Sequence, residues 1–337
     1  MSEATAGELP AELDDVVQYL TTVAISLPKA MTEPEDLQPI ASPVPVGVLV
    51  DELARLPADN QLYSYRQYRV FCGTAEQIPN TLQEITRLRE MTFRHMQEGS
   101  GLSVDTDKHD VSYVHLFVWD TQEQQIVGGY RLGKTDELLE TYGPQGVYLA
   151  DMFEFDPAFY ADCPTLEIGR SFVVPQYQRN HHSLSLLWCG IGQFIVRQPK
   201  YRRVYGVVSM SRIYDATTIA AIRDALVEPM EHVRPIAPYE PDLGKPWQDF
   251  VGDHAPLAMK VVSHLVKTLE ENQRDVPVLI RHYHKLGARF VSAAVDSAFN
   301  NTPGLLLCLD VPNIPHKYLK QYLREGAEDY LNYQPER

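Results

Sequence analysis

Glu167 and Arg170 stand in a stretch, LEIGRSFVV, that is otherwise apolar or small. A strand of that composition is buried, and a buried charge is tolerated only when it is paired. Residues three apart on a strand point to opposite faces, so these two share a face only across a bulge that inserts one extra residue. If they do, Glu167 is placed to act as a general base, directly or through a water. Arg170 would then orient it or bind a carboxylate.

The same strand opens a segment of unusual charge. From residue 168 to 214 there is no Asp or Glu. That span holds Arg170, Arg179, Arg197, Lys200, Arg202, Arg203 and Arg212, in a chain of net charge -15. A strand that passes through a loop into a helix offers unpaired N–H groups and the positive end of a dipole. A solvated face normally mixes signs, so the missing acid favours a phosphate or phosphopantetheine site. On this reading the segment lacks carboxylates because what it meets is anionic.

The surrounding elements follow from periodicity and turn residues. YRQYRVFCG reads as a strand. IPNTLQEITRLREMTFRHMQEG reads as a helix, with Asn80 as cap and Gln83 completing a capping box. YVHLFVWDTQEQQIVGGYRL reads as a hairpin. A helix follows from Ser183, with Leu184, Leu187, Trp188, Ile191, Phe194 and Ile195 on one face. RVYGVVSMS is the next strand and IYDATTIAAIRDALVE the next helix. Two further helices and the strands ARFVSAAVD and GLLLCLDV close the chain. The fold class expected is α/β (α+β), a mixed sheet with helices on both faces.

At 337 residues and 44% hydrophobic, the chain can bury a large core. Its acidity is concentrated at the start, where residues 1–60 carry eleven Asp or Glu against two Lys or Arg. Overall acidity argues against a nucleic-acid partner, which needs a basic footprint. Residues 1–45 are acidic and proline-punctuated, and read as an extension that adds little to the core. Residues 46–325 form the domain, with a proline-rich surface excursion at about 229–256, and 326–337 form a tail. Cys72, Cys163, Cys189 and Cys308 are far apart and read as reduced thiols, with no metal site. The first residues lack the pattern of a signal peptide, and no run reaches the roughly 18 apolar residues a spanning helix needs. The chain reads as cytoplasmic, with peripheral contact at the inner face of the membrane left open.

The order of these motifs resembles the GNAT superfamily of N-acyltransferases. It is most similar to the ornithine-lipid and hemolysin-like branch, and more distantly to the acyl-homoserine-lactone synthases. The motifs are TRLREMTFR, HLFVWD with IVGGYRLG, LEIGRSFVVPQYQ and LLWCGIG, in that order. The likeness covers residues 60–215 well, residues 276–312 moderately and residues 1–45 not at all. It implies a mostly antiparallel central sheet with a splayed central strand pair and a bulge on the strand carrying Glu167.

Residue by residue, the resemblance matches Arg89 and Phe93 to a pair near the acyl-transfer site. Asp107 and Asp110, in DTDKHD, match an acidic pair in the loop closing over that site, although they also read as ordinary loop acids. Arg131 matches an arginine on the hairpin, where an ion pair with Asp110 is the alternative. Glu167 and Arg170 match an E-x-x-R signature. Backbone N–H groups at Phe172, Val173 and Val174 would polarise the thioester carbonyl. Arg89 and Arg131 would share the acceptor's carboxylate, and Tyr214 would return a proton to the thiolate or simply pack. Gln178, Arg179 and Asn180 would line the donor's phosphate; His181 and His182 would join them or stand as a solvent-exposed pair.

One departure bears on the donor. The superfamily's phosphate loop, R/Q-x-x-G-x-G/A, contains glycine, whereas QRNHHSLS contains none. Without glycine the backbone approaches a pyrophosphate less freely. That favours acyl carrier protein, with its single phosphodiester, over acyl-CoA as donor; the exposed run RQPKYRR would suit such an acidic partner. The implied function is transfer of a long-chain, 3-hydroxy fatty acyl group to the amine of an amino acid such as ornithine or glycine, the first step toward an amino-acid lipid. An acyl-amine signal synthase and a non-catalytic acyl-carrier or lipid-binding module remain the alternatives.

Overall fold

The computed structural model describes residues 9–26, 37–161, 163–180 and 182–334. The first third of the chain contains α1 (Leu13–Ser26), α2 (Val46–Arg55), β1 (Gln61–Tyr65), β2 (Tyr68–Thr74) and α3 (Pro79–His95). Then come β3 (Val114–Asp120), β4 (Gln125–Lys134), α4 (Thr135–Tyr142), β5 (Phe153–Phe155) and α5 (Ala158–Ala161). The central motif is β6 (Thr165–Val173), α6 (Ser183–Arg197) and β7 (Arg203–Ser209). It leads to α7 (Ala216–Leu226), β8 (Val233–Pro235), α8 (Lys245–His254), α9 (Met259–Leu269) and α10 (Val278–Lys285). The hairpin of β9 (Arg289–Asp296) and β10 (Thr302–Asp310) is followed by α11 (His316–Leu323) and α12 (Ala327–Asn332).

Eight strands form one sheet in the order β1-β2-β3-β4-β6-β7-β10-β9, and β5 pairs with β8 apart from it. Every neighbouring pair in the large sheet is antiparallel except β6 with β7. That parallel pairing runs only from Thr165↔Arg203 to Glu167↔Tyr205. Beyond it the strands part, which is the splayed pair expected. Gly206 sits at the fork, where a Cβ would lie 2.2 Å from the Ile168 carbonyl oxygen. Only glycine lets the strands approach so closely before they diverge.

The register also contains the bulge. Gly129 pairs with Phe172 and Arg131 with Gly169, so β6 spends three residues where β4 spends two. Arg170 takes the slack with φ +48°, a left-handed conformation that a non-glycine residue rarely adopts. Such a residue costs on the order of 1–3 kcal/mol and persists only where its surroundings hold it. Arg170 and Glu167 are thereby brought to one face.

The two faces are covered differently. Behind the sheet α6 packs so tightly that a Cβ on Gly190 would meet Val70 and Leu116. On the side of Glu167, an apolar cluster forms around Tyr113, Leu138, Tyr148, Met152, Phe159 and Tyr205.

Several expectations are corrected. YRQYRVFCG is a turn followed by a strand, with β1 ahead of it. Asn80 does not cap α3, because Ile78 stands at the cap and Pro79 opens the helix. The free N–H groups of Asn80 and Thr81 bind the Glu52 carboxylate at 3.0 and 2.7 Å, so α2 supplies the missing cap. Residues 229–256 are more than a surface excursion, since they hold β8, α8 and the fully buried Trp247. The expected tail contains α12, whose Tyr330 is buried.

The stretch expected to add little to the core contributes to it directly. Leu13, Val16, Val17 and Leu20 of α1 join the main core, and α1 packs on α7, α8 and α9. Further on, the Val44 N–H donates to Glu84 at 3.0 Å, and Arg94 donates to the Gln38 carbonyl at 2.7 Å. Leu20→Ala is therefore expected to cost about 2–5 kcal/mol in denaturant unfolding. A loss below about 0.5 kcal/mol, the level of a surface substitution, would show that α1 lies outside the cooperative core.

Candidate functional site

Three arginines and three aspartates meet on the Glu167 face. Arg89 of α3 makes a two-pronged contact with Asp110, at 2.9 and 3.0 Å, and its Nε lies 2.8 Å from Asp105. Arg131 of β4 reaches Asp107 at 2.6 Å and Asp110 at 3.1 Å. Arg170, on the bulge, lies 3.3 Å from both Asp105 and Asp107. Loop 105–110 is thus fastened at once to α3, β4 and β6. Within it, Asp110 accepts the Asp107 N–H and Asp107 accepts the His109 N–H.

Aromatic rings line this mesh. Arg131 stacks 5.0 Å from Tyr113 and 5.1 Å from Tyr148. Arg170 lies 4.7 Å from Tyr148 and 4.9 Å from Phe299, and Phe299 meets Phe93 edge-on at 4.9 Å. A guanidinium over an aromatic face keeps its charge with little water present. Arg170 also donates to the Tyr148 hydroxyl at 3.0 Å, and that hydroxyl donates to Asp296. The C-terminal hairpin is tied to the site through this link.

Glu167 lies beside the mesh, with 1% of its surface exposed. The Tyr113 hydroxyl donates to its Oε2 at 3.0 Å while accepting the Tyr148 N–H at 2.8 Å. Burial pushes the Glu167 carboxyl up to about 7, against the Arg131 charge, the Tyr113 hydroxyl and the Leu149 N–H, which favour the anion. Asp110 goes the other way. Burial opposes its charge, but Arg89 and Arg131 outweigh that and hold it far below the usual carboxylate range. Asp107 is lowered likewise by Arg131 and Arg170, again against burial. One carboxyl able to exchange a proton near neutrality therefore stands beside Asp107 and Asp110, held as anions, a separation that suits acid–base work.

A cavity of about 70 Å³ opens at the splay, room for a few waters or a compact polar group. Glu167, Arg170, Phe93 and Tyr148 border it, as do Ile168 and Val208, which strand alternation turns to the face opposite Glu167. It therefore passes between the parted strands. Val174 donates its N–H to Val127 on β4 at 3.0 Å. Strand alternation turns the N–H and carbonyl of Val173 to the opposite, open edge. The Gln178 side chain donates to that Val173 carbonyl at 3.0 Å. Of Phe172, Val173 and Val174, it is Val173 that faces the splay.

Other candidates are placed differently from expectation. Arg89 and Arg131 are engaged by Asp105, Asp107 and Asp110 and do not border the cavity, so neither meets an acceptor carboxylate there. Tyr214 does not border the cavity; its hydroxyl donates to the Asp275 carbonyl at 2.7 Å, beneath Arg274. Asn180 is spent on the Tyr68 hydroxyl and the His182 N–H. Arg179 and His182 are exposed at the entrance to α6. His181 lies outside the described residues. Asp105, Tyr113, Tyr148 and Asp296 join the site without being among the residues expected from the sequence. Asp105 alone carried a local signal, as the first of the three acids of DTDKHD.

The basic segment also reads differently in three dimensions. Arg197 donates to the carbonyls of Asp59 and Gln61. Lys200 pairs with Asp136 at 2.6 Å and Arg203 with Asp310 at 3.2 Å. Arg202 stacks on Tyr330 and donates to its carbonyl. The partners of RQPKYRR are this chain's own carboxylates and carbonyls.

Residues 88–189 match the family model described as an acetyltransferase (GNAT) domain. The chain thus carries a GNAT acetyltransferase domain that runs through β3, β4 and β6 into α6 and holds Glu167. It is 34% identical over 185 residues to the glycine N(alpha)-acyltransferase of Bacteroides thetaiotaomicron, covering 48% of this chain and 55% of that one. The chain thus spans about half the length of that relative. With the glycine N(alpha)-acyltransferase of Phocaeicola vulgatus it shares 28% identity over 81% of this chain and 90% of that one. With the L-ornithine N(alpha)-acyltransferase of Agrobacterium fabrum it shares 28%, over 82% and 86%. A solved CoA-dependent acyl-homoserine lactone synthase aligns at 14% identity and TM-score 0.35, covering 77% of this chain and 87% of that chain. Among the described residues, no helix is long and apolar enough to cross a membrane.

Two outcomes follow from this geometry. A base with a pKa of about 7 works only when deprotonated, so kcat/KM is expected to rise with pH through about 7 and level off above it. Glu167→Gln should remove that limb and lower kcat by about 10² to 10⁴. A variant turning over at the wild-type rate at every pH would remove Glu167 from the mechanism. Separately, Asp110→Asn leaves Arg89 and Arg131 short of a buried counter-charge. It should cost about 3–5 kcal/mol in denaturant unfolding; an unchanged midpoint would mean the mesh carries no stability.

Proposed function

We propose that the protein transfers a fatty acyl group from a thioester donor to the α-amine of an amino acid. The observation that carries this reading is the Glu167 carboxyl, buried and titrating near neutrality where β6 and β7 part. Amines are protonated in neutral water, and acyl transfer needs one neutral and aimed at the thioester carbon. Relatives named for glycine and ornithine N(alpha)-acylation support an amino acid as acceptor.

The steps balance. Glu167 takes a proton from the acceptor's ammonium and passes it to solvent, and the free amine attacks the thioester carbonyl carbon to form a C–N bond. The Val173 N–H, facing the splay, stabilises the oxyanion. As the C–S bond breaks, one of the two nitrogen protons passes to Glu167 and from there to the departing thiolate, and the other stays on the amide. Tyr113 holds the carboxyl in place throughout. Arg170, the one arginine of the mesh that borders the cavity, receives the acceptor's carboxylate. The product, an N-acyl amino acid, is a precursor suited to an amino-acid lipid.

For the donor, the glycine-free loop ahead of α6 supports a single phosphodiester, as borne by acyl carrier protein, over a pyrophosphate. Arg179 supplies the charge there, and the internally paired RQPKYRR does not. Purified full-length protein should form N-acyl amino acids, read by mass spectrometry, from a 3-hydroxyacyl carrier protein and ornithine or glycine. The matching CoA thioester should be used less well. Arg179→Glu should raise the donor KM with kcat largely kept. Equal use of both donors, with no effect of Arg179→Glu, would overturn the donor assignment. No N-acyl product from any amino acid and either donor would overturn the function.

A further inference from the structure

The cavity at the splay continues along β7 and β10 to a polar end that the chemistry above does not use. Ser209 closes β7 and pairs with Gly304 of β10. Cross-strand partners share a face, and so do residues two apart on one strand. Ser209 and Thr302 therefore project from the same side of the sheet, and both border the cavity. The Ser209 hydroxyl donates to Glu98 Oε2 at 3.1 Å. Glu98 follows the last turn of α3, five residues beyond Phe93, which borders the same cavity.

Two features of this end are costly unless a ligand completes it. Glu98 is a carboxyl with only 8% of its surface exposed. Burial pushes it up to about 7, opposed by the Ser209 hydroxyl and the Arg212 charge. Thr302 is 1% exposed, and its hydroxyl has no partner among the described residues. A buried hydroxyl left unpaired is unfavourable, and native structures keep few of them. The facing charged groups are Arg212, which offsets part of the Glu98 charge, and Asp296, whose carboxylate takes the Tyr148 hydroxyl and the Ala298 and Phe299 N–H groups.

We propose that Glu98, Ser209 and Thr302 form the subsite for the acceptor's side chain, and that it takes a cationic terminus of the ornithine or lysine kind. This rests on the reading that the acceptor is an amino acid. An ammonium offers three donors and no acceptor. Glu98 neutralises its charge, and the Ser209 and Thr302 oxygens accept two of its N–H bonds. Arg170 and Glu167 hold the α-carboxylate and α-amine at the other end. A glycine acceptor leaves the subsite empty, so the subsite sets preference among amino acids while the transfer chemistry stays common to them.

The test is acceptor competition on the full chain, with kcat/KM measured separately for ornithine and glycine. The wild type should prefer ornithine. Glu98→Gln should lower the ornithine-to-glycine ratio about 10- to 100-fold, the worth of a hydrogen bond to a charged group. Thr302→Val keeps the shape, removes the orphan hydroxyl, and should lower the same ratio while leaving the melting temperature equal or higher. A structural role for Thr302 would not produce that opposition. If glycine is the preferred acceptor of the wild type, or if Glu98→Gln lowers both acceptors alike, the subsite is refuted while amino-acid N-acylation stands. If no amino acid is acylated at all, the function reading fails and the subsite with it.

Discussion

The site depends on ion pairs that cannot be separated from the loop they fold. Arg89, Arg131 and Arg170 come from a helix and two strands, and only Asp105, Asp107 and Asp110 make their burial tolerable. Removing several charges from water is expensive, and hydrophobic residues of similar size could hold the loop at no greater cost. What the ions add is placement. Arg170 keeps its left-handed backbone because two aspartates and two rings grip its side chain. Its bulge turns the strand so that Glu167 faces the cavity in its company.

The mesh also sets the electrostatics of the chemistry. The arginines lower Asp107 and Asp110 and act on Glu167 too weakly to overcome its burial. Tyr113 gives Glu167 one hydrogen bond, enough to fix its direction. The parting of β6 and β7 then leaves a passage through the sheet. Donor and acceptor can approach from opposite faces and meet beside one proton-exchanging group. Fold and reaction are linked at Gly206, where the strands touch for the last time.

Much of this was legible along the chain because it is local. A hairpin, an apolar strand interrupted by two charges and an amphipathic helix are short-range patterns, and each formed where the spacing put it. The bulge was legible as a requirement, since Glu167 and Arg170 could share a face in no other way. Long-range pairing was not legible. Nothing near Lys200 or Arg203 announces Asp136 or Asp310, so the acid-free run looked like a binding surface when it is mostly a structural one. Glu52 took the capping role that Asn80 appeared to own for the same reason. Leu13 to Leu20 formed an ordinary amphipathic stretch whose partners, α7 to α9, lie some 200 residues away. Tyr113, Tyr148 and Asp296 gave no local sign, because each matters only through what the fold brings to it.

The central claim is that burial, outweighing a nearby guanidinium, leaves one carboxyl of this site ready to exchange a proton near neutral pH. Carbon-13 NMR of protein labelled at the glutamate side-chain carboxyl reads this directly, with Glu167→Gln identifying the resonance. The signal assigned to Glu167 should titrate with a midpoint of about 7. A midpoint near the ordinary 4.5 would show that the carboxyl is already an anion, held as one by Arg131 and Tyr113, and would contradict the acid–base role built on it.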